Sequence, residues 1–286
     1  MLNRLINENI LATKVKIFFA KISYRLAIAF YGRKPRIITR GGIKYEADLS
    51  EGIDLALFLF GKYQEHVTDN KLTPLTDDAV IIDVGANMGA MALQFAKRVV
   101  NGHVYAFEPT DYSMARLRRN LELNPQLAAR IEVIQSFVSS SNNERPGIRA
   151  YASWKVDGLT DGEKHPIHRG AEKPAEGIGA ITLDAFCKSR ELAKLNLIKI
   201  DTDGHEYEVL LGAKETIKKY RPFIIFEAGI YAMKERNIDF SFFTDYFSSL
   251  GYKLANSIKA DEINETNYKK YVPSDATIDI IAIPVN

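Results

Sequence analysis

Residues 80–89 read Val-Ile-Ile-Asp-Val-Gly-Ala-Asn-Met-Gly. An apolar run ends there in an acid and two closely spaced glycines, the pattern of a buried strand that turns sharply into a helix. Outward from this stretch the punctuation is regular. A strand at 79–84 is followed by a helical pattern at 88–99, the turn pair Asn101-Gly102, a strand at 103–108, a helix at 112–123 stopped by Asn124-Pro125, and a strand at 131–135. After a break the rhythm resumes, with strands expected at 181–183, 197–201, 223–227, 252–256 and 278–284. Helices are expected near 184–193, 206–220 and 240–250. Strands alternating with helices predict right-handed βαβ units in an α/β, doubly wound, mostly parallel sheet. The break, residues 139–179, is rich in Ser, Asn, Gly, Pro and charge and holds the sole tryptophan, Trp154. It reads as a long variable loop or insertion, where specificity is expected.

The 286 residues are 46% hydrophobic and 26% charged, which excludes disordered, collagen-like and coiled-coil classes. One cysteine, Cys187, and five histidines exclude a disulfide framework and a cysteine-rich zinc site, and suit a reducing, cytoplasmic compartment. Charge is uneven. Residues 1–40 carry nine Lys/Arg against Glu8 alone, a balance of +8, so the net +2 leaves −6 for residues 41–286. The chain therefore divides into a basic extension, 1–40, and a larger domain, 41–286. Val15, Phe19, Ile22, Leu26 and Phe30 follow the helical period beside a stripe of Lys14, Lys21 and Arg25, an amphipathic helix. Within residues 10–31 that helix serves either peripheral contact with the inner face of a membrane or packing on its own domain or a second subunit. Ile17, Phe18 and Ile28 blur its polar face and favour packing. Interrupting cations argue against a membrane span, and short apolar blocks without a cleavage site argue against a secretory signal.

Ligands of an open α/β sheet sit beyond the carboxyl ends of its strands. Asp83, Gly85, Asn87 and Gly89 form the first such turn, with free helix N–H groups suited to a carboxylate or phosphate. A dinucleotide fingerprint would need Gly at 87 and, with Ala tolerated, at 90; this chain has Asn87 and Ala90, so the pyrophosphate cradle is incomplete. Glu108, about twenty residues on, is placed to accept hydrogen bonds from a ribose. Together these suit S-adenosylmethionine (SAM), with the methionine end at the glycine turn, the ribose on Glu108 and adenine near Gln135, Ser136 and Phe137. A third stretch, residues 198–206, delivers Asp201 at a strand end, then Asp203, Gly204, His205 and Glu206. Asp203 as N-cap with Glu206 three residues later would be an ordinary capping box, but that leaves Asp201 unexplained.

Residues 80–89 (VIIDVGANMG), 104–109 (VYAFEP), 181–185 (ITLDA), 197–213 (LIKIDTDGHEYEVLLGA) and 222–227 (PFIIFE) resemble the FkbM family of SAM-dependent methyltransferases. The segment 60–65 (FGKYQE) is similar to one those proteins carry before the first strand. The resemblance covers residues 40 to 285. It implies a seven-stranded class I, Rossmann-like fold and methylation of hydroxyls on sugars, glycans or polyketide-like small molecules. It places Asp83, Gly85, Asn87, Gly89, Glu108 and its neighbour Pro109 on the cofactor, and Asp201 beside the methyl group. Glu65 and Tyr63 are candidates to close over the methionine end.

Methyl transfer to an alcohol needs the oxygen held about 3 Å from the methyl carbon and a base to take its proton. Asp201 or Asp203 is the expected base, with His205 second and Glu227 nearby. Alternatively Asp201, Asp203 and Glu227 hold Mg²⁺ or Ca²⁺ through hard oxygen ligands. Two rivals are an NAD-dependent oxidoreductase, disfavoured by Asn87 and Ala90, and a catalytically degenerate scaffold or membrane-docking protein. The −6 charge of residues 41–286 offers nucleic acid no basic groove.

Overall fold

The architecture starts from strands that are apolar on both faces, as a sheet covered by helices on both sides requires. The computed structural model describes residues 13–143, 150–152, 155–157, 171–173, 175–274 and 276–285. A hairpin, β1 (Arg36–Arg40) with β2 (Ile43–Ala47), precedes the central sheet, whose first three strands are β3 (Val80–Val84), β4 (His103–Phe107) and β5 (Ile131–Ile134). Two small pairs follow, β6 (Phe137–Val138) with β9 (Ala180–Ile181) and β7 (Ala150–Ala152) with β8 (Ala171–Lys173). The sheet is completed by β10 (Leu197–Ile200), β11 (Phe223–Ala228), β12 (Tyr252–Asn256), β13 (Glu262–Ile263) and β14 (Ile278–Pro284).

The spatial order is β13-β12-β14-β11-β10-β3-β4-β5. Strands β5, β4, β3, β10 and β11 pair in parallel, and β14 runs antiparallel between β11 and β12. This is the doubly wound order of the class I methyltransferase fold, reversing direction of growth between β3 and β10. Three details differ from the sequence expectation. The sheet has eight strands rather than seven, because the two-residue β13 adds antiparallel to β12. The strand expected at 181–183 pairs with β6 outside the central sheet, and the helix expected at 206–220 breaks at Gly212-Ala213 into Glu206–Leu211 and Lys214–Tyr220.

Alternate residues feed two cores. Ile82, Val84, Ile198, Ile200, Ile224 and Phe226 face one side, where Phe226 stacks on Phe243 and Phe247 at 5.0 and 5.3 Å. Ile81, Val104, Ala106, Leu197 and Ile225 face the other, against the helix Ala90–Arg98 and the hairpin. On that side Asp54, fully buried in the helix Gly52–Phe60, pairs with Arg116 and accepts a 2.7 Å bond from the Asp48 amide. Burial outweighs the guanidinium and pushes the Asp54 carboxyl up to about 6.

The amino-terminal helix spans Thr13–Tyr31. Its inner face is not the predicted apolar stripe. Tyr24 and Ala27 are buried, Ala20 and Ile28 pack beside them, and Tyr31 meets Phe58 edge-on at 5.1 Å. Of that stripe Phe19, Ile22, Leu26 and Phe30 point away, 42%, 38%, 57% and 82% exposed, while the Val15 side chain lies outside the described ones. The small Ala20 and Ala27 allow close approach to the domain, which a period count of large apolar residues overlooks. Residue 40, where the extension was expected to end, lies at the turn of the β1–β2 hairpin.

Candidate functional site

Parallel register aligns the strand ends. Val84, Phe107, Ile200 and Phe226 stand in one row across β4, β3, β10 and β11. The next residues, Gly85, Glu108, Asp201 and Glu227, therefore form a single rank along the carboxyl edge.

Gly85 and Gly89 both hold left-handed backbone, at φ +83° and +86°. A Cβ on Gly85 would lie 1.9 Å from the Asp201 carbonyl oxygen, and one on Gly89 would lie 2.4 Å from Leu117 Cδ1. The glycines thus serve close packing of the turn against its neighbours, where the sequence suggested room for a ligand. Asn87, between them, is also left-handed at φ +50°, and its side-chain oxygen accepts the Met88 amide at 2.8 Å. The Gly85 and Ala86 amides donate to the Phe107 carbonyl at 3.0 and 2.8 Å, tying this turn to the end of β4.

Glu108 is 5% exposed. One carboxylate oxygen accepts the Asn87 amide at 2.9 Å, and the other accepts the amide and hydroxyl of Thr110 at 2.9 and 2.7 Å. The oxygen bonded to Thr110 has both lone pairs engaged, and the oxygen bonded to Asn87 keeps capacity for one further donor. Burial raises its pKa against the pull of the Thr110 bonds. Pro109 follows, half-buried, and leads to Thr110, which caps the helix Asp111–Glu122.

Asp83 is fully buried with Lys199 3.4 Å away, and neither of its oxygens makes a hydrogen bond. Lys199 sits equally close, 3.2 Å, to Asp201. Burial alone would lower the lysine pKa, but Asp201, Asp83 and Tyr63 reverse the sign and raise it. Sequence reasoning missed Lys199, although a lone cation inside the apolar strand Leu-Ile-Lys-Ile was the signal.

Beyond β10 the acids crowd. Asp203 adopts left-handed backbone at φ +53°, and its carboxyl is pushed well up by burial and by Asp201, Glu206 and Glu108. Glu206 accepts the Thr202 and Gly204 amides at 2.8 and 3.2 Å, and its pKa is also raised by burial. The capping box expected between Asp203 and Glu206 does not form: His205 is the N-cap, and Glu206 closes the turn itself. Glu227 takes a hydrogen bond from the Thr277 hydroxyl and is raised well above its ordinary range by burial and Asp201. Across the register it faces Asp279, whose carboxylate bonds His66 at 2.6 Å.

The remaining predicted residues are held elsewhere. His205 is 6% exposed, with Nδ1 2.5 Å from Glu208 and Nε2 against Arg236. Arginine only donates, so Nε2 accepts, Nδ1 carries the proton, and the ring has no lone pair left for an acceptor's proton. Ser136 donates to the Phe137 and Gly179 carbonyls, and Phe137 is a buried member of β6. Gln135 donates to Asp111. Glu65 pairs with Lys62 at 2.7 Å, its side chain half exposed, and with Tyr63 borders a cavity of about 400 Å³ that Arg40, Lys97 and Arg98 also line. Tyr63, unlike Glu65, stays tied to the strand ends, its pKa raised by burial and by Asp201. Among the described residues no three acidic, His or Cys groups are arranged to hold an ion. Asp201, Asp203 and Glu227, considered from sequence as ligands of Mg²⁺ or Ca²⁺, are not grouped in that way.

The methyltransferase FkbM domain profile matches residues 83–254, from the acid of β3 through most of β12. The chain belongs to the FkbM methyltransferase family. Among relatives of this FkbM chain, the AMB antimetabolite synthetase AmbE of Pseudomonas aeruginosa is 30% identical over 53% of this chain and 8% of its own length. The hexuronic acid methyltransferase AglP of Haloferax volcanii is 30% identical over 53% of this chain and 56% of its own. The 2-O-methyltransferase NoeI of Sinorhizobium fredii is 27% identical, covering 50% and 61%. The FkbM chain thus spans less than two thirds of the length of each.

Proposed function

We propose that this protein transfers a methyl group from SAM to a hydroxyl of a sugar, glycan or other small-molecule acceptor. The observation that carries the reading is the rank of strand ends. Glu108 stands ready for a ribose, and beside it a cluster of carboxyls, Asp201, Asp203, Glu206 and Glu227, outnumbers the buried cation Lys199. Such a surplus of negative charge is relieved by a cationic ligand. SAM fits, because it brings a sulfonium and an ammonium together with a ribose, and when bound it supplies an electrophilic methyl group. The similarity to the 2-O-methyltransferase NoeI and the hexuronic acid methyltransferase AglP favours a hydroxyl-bearing, sugar-like acceptor.

This chain's residues divide the work. Glu108 accepts a ribose hydroxyl through the lone pair left on the oxygen that bonds Asn87, held in place by Asn87 and Thr110. Lys199 fixes the orientation of Asp201 at the strand end. Asp203 takes the proton of the acceptor hydroxyl onto its carboxylate. Its raised pKa matches it to that task better than an ordinary aspartate.

Calorimetric titration of the full chain with SAM, S-adenosylhomocysteine and NAD tests the reading. Micromolar binding of the first two is expected. Absence of SAM binding by folded protein, or NAD binding in its place, overturns it.

A further inference from the structure

Among the described residues eleven large hydrophobic side chains stand out as exposed, and six of them fall between residues 19 and 37. On the helix Thr13–Tyr31, Ile22, Leu26 and Phe30 recur at intervals of four, with the exposed Ala29 beside them, opposite the face made by Tyr24 and Ala27. The domain already occupies the inner face, so this outward stripe is not waiting to fold onto it. Lys21 and Arg25 flank the stripe along one side and are exposed, and Arg33 and Lys34 follow exposed beyond its end. The helix contains no Asp or Glu.

We propose that the outward face of this helix is an in-plane anchor for a membrane surface rich in anionic phospholipid. An apolar stripe flanked by cations is the surface that settles at the boundary between headgroups and acyl chains, with the cations at the phosphates. Charge selects lipid over a second copy of the chain. Two-fold pairing of the stripe would bring Lys21 and Arg25 of both copies together with no acid on either helix to offset them. The anchor rests on the amino-terminal helix alone and is independent of the methyl-transfer reading.

The test is flotation of the full chain with neutral phosphatidylcholine vesicles and with vesicles containing phosphatidylglycerol, alongside light scattering without lipid. Partitioning onto the anionic vesicles is expected to be at least about tenfold stronger, since each cation near such a surface contributes on the order of fivefold. It should weaken sharply at 1 M salt, where screening acts within about 3 Å. The pair Leu26→Glu with Phe30→Glu should abolish binding. The pair Lys21→Glu with Arg25→Glu, at exposed positions outside the stripe, should lower it at least about 25-fold with an unchanged melting curve. Wild-type protein that stays with the aqueous fraction, or binds both vesicles equally, overturns the anchor. A dimer that Leu26→Glu with Phe30→Glu dissolves, without vesicle binding, overturns it in favour of self-association.

Discussion

Glu108 and Glu227 close neighbouring parts of the same sheet edge, both deeply enclosed, yet their surroundings differ in kind. Glu108 accepts three hydrogen bonds from Asn87 and Thr110, so its charge is spread over donors that the turn itself supplies. Glu227 has the Thr277 hydroxyl and then faces Asp201, Glu206 and Asp203, acids that each disfavour its ionisation. One half of the site is satisfied before any ligand arrives; the other is held in tension. A binding subsite gains from being prebuilt, because nothing has to be ordered when the ligand docks. A proton acceptor gains from tension, because crowding lifts its pKa toward the working pH.

The crowded half breaks most visibly. Asp203→Asn is expected to lower kcat by about 100-fold or more, the usual share of a general base. It should also raise the thermal midpoint, because one member of a mutually repelling set is gone. Steady-state kinetics and a melting curve read both effects, and an equally active, less stable variant would place the base elsewhere. On the satisfied side, Glu108→Gln turns an amide nitrogen toward donors that formerly bonded a carboxylate. SAM affinity should fall about thirtyfold, roughly 2 kcal/mol, the worth of hydrogen bonds to a charged group. Calorimetry measures it, and unchanged affinity would remove Glu108 from the ribose.

The smallest effect is the pH dependence. Asp203, Glu206 and Glu227 have folded-state pKa values above their unfolded ones. Their contribution to stability is therefore complete below the ordinary carboxylate range near about 4 and is lost as pH rises through the raised values. A cationic ligand prefers the ionised forms. The ligand-free melting point should fall with rising pH while SAM binds tighter, by about threefold per pH unit. Melting curves with and without SAM across the range distinguish this from a site whose acids ionise normally.

Much of this edge was legible from residue spacing. The strand ends carrying Glu108, Asp201 and Glu227 followed from apolar runs that stop at an acid, and the structure brings these three into one rank with Gly85, while Asp83 lies two residues back, inside β3 beside Lys199. What the sequence hid depends on contacts between distant segments. His205 looked free until Arg236, thirty-one residues away, was seen against it. Lys199 looked like an interruption of a strand until two acids closed on it. Glu65 shared a motif with Tyr63, but the chain turns between them and leaves Glu65 with Lys62. The hairpin β1–β2 and the short β13 are brief elements whose pairing, rather than composition, defines them.

The missing side chain at Gly85 lets the Asp201 carbonyl occupy the place where a Cβ would be. The turn after β3 and the turn after β10 therefore meet backbone to backbone, with no compressible side chain between them. The spacing of the two turns is thus set by main chain alone, and Gly85→Ala would drive a methyl group into the Asp201 carbonyl and force the loop that carries Asp203 away from the turn.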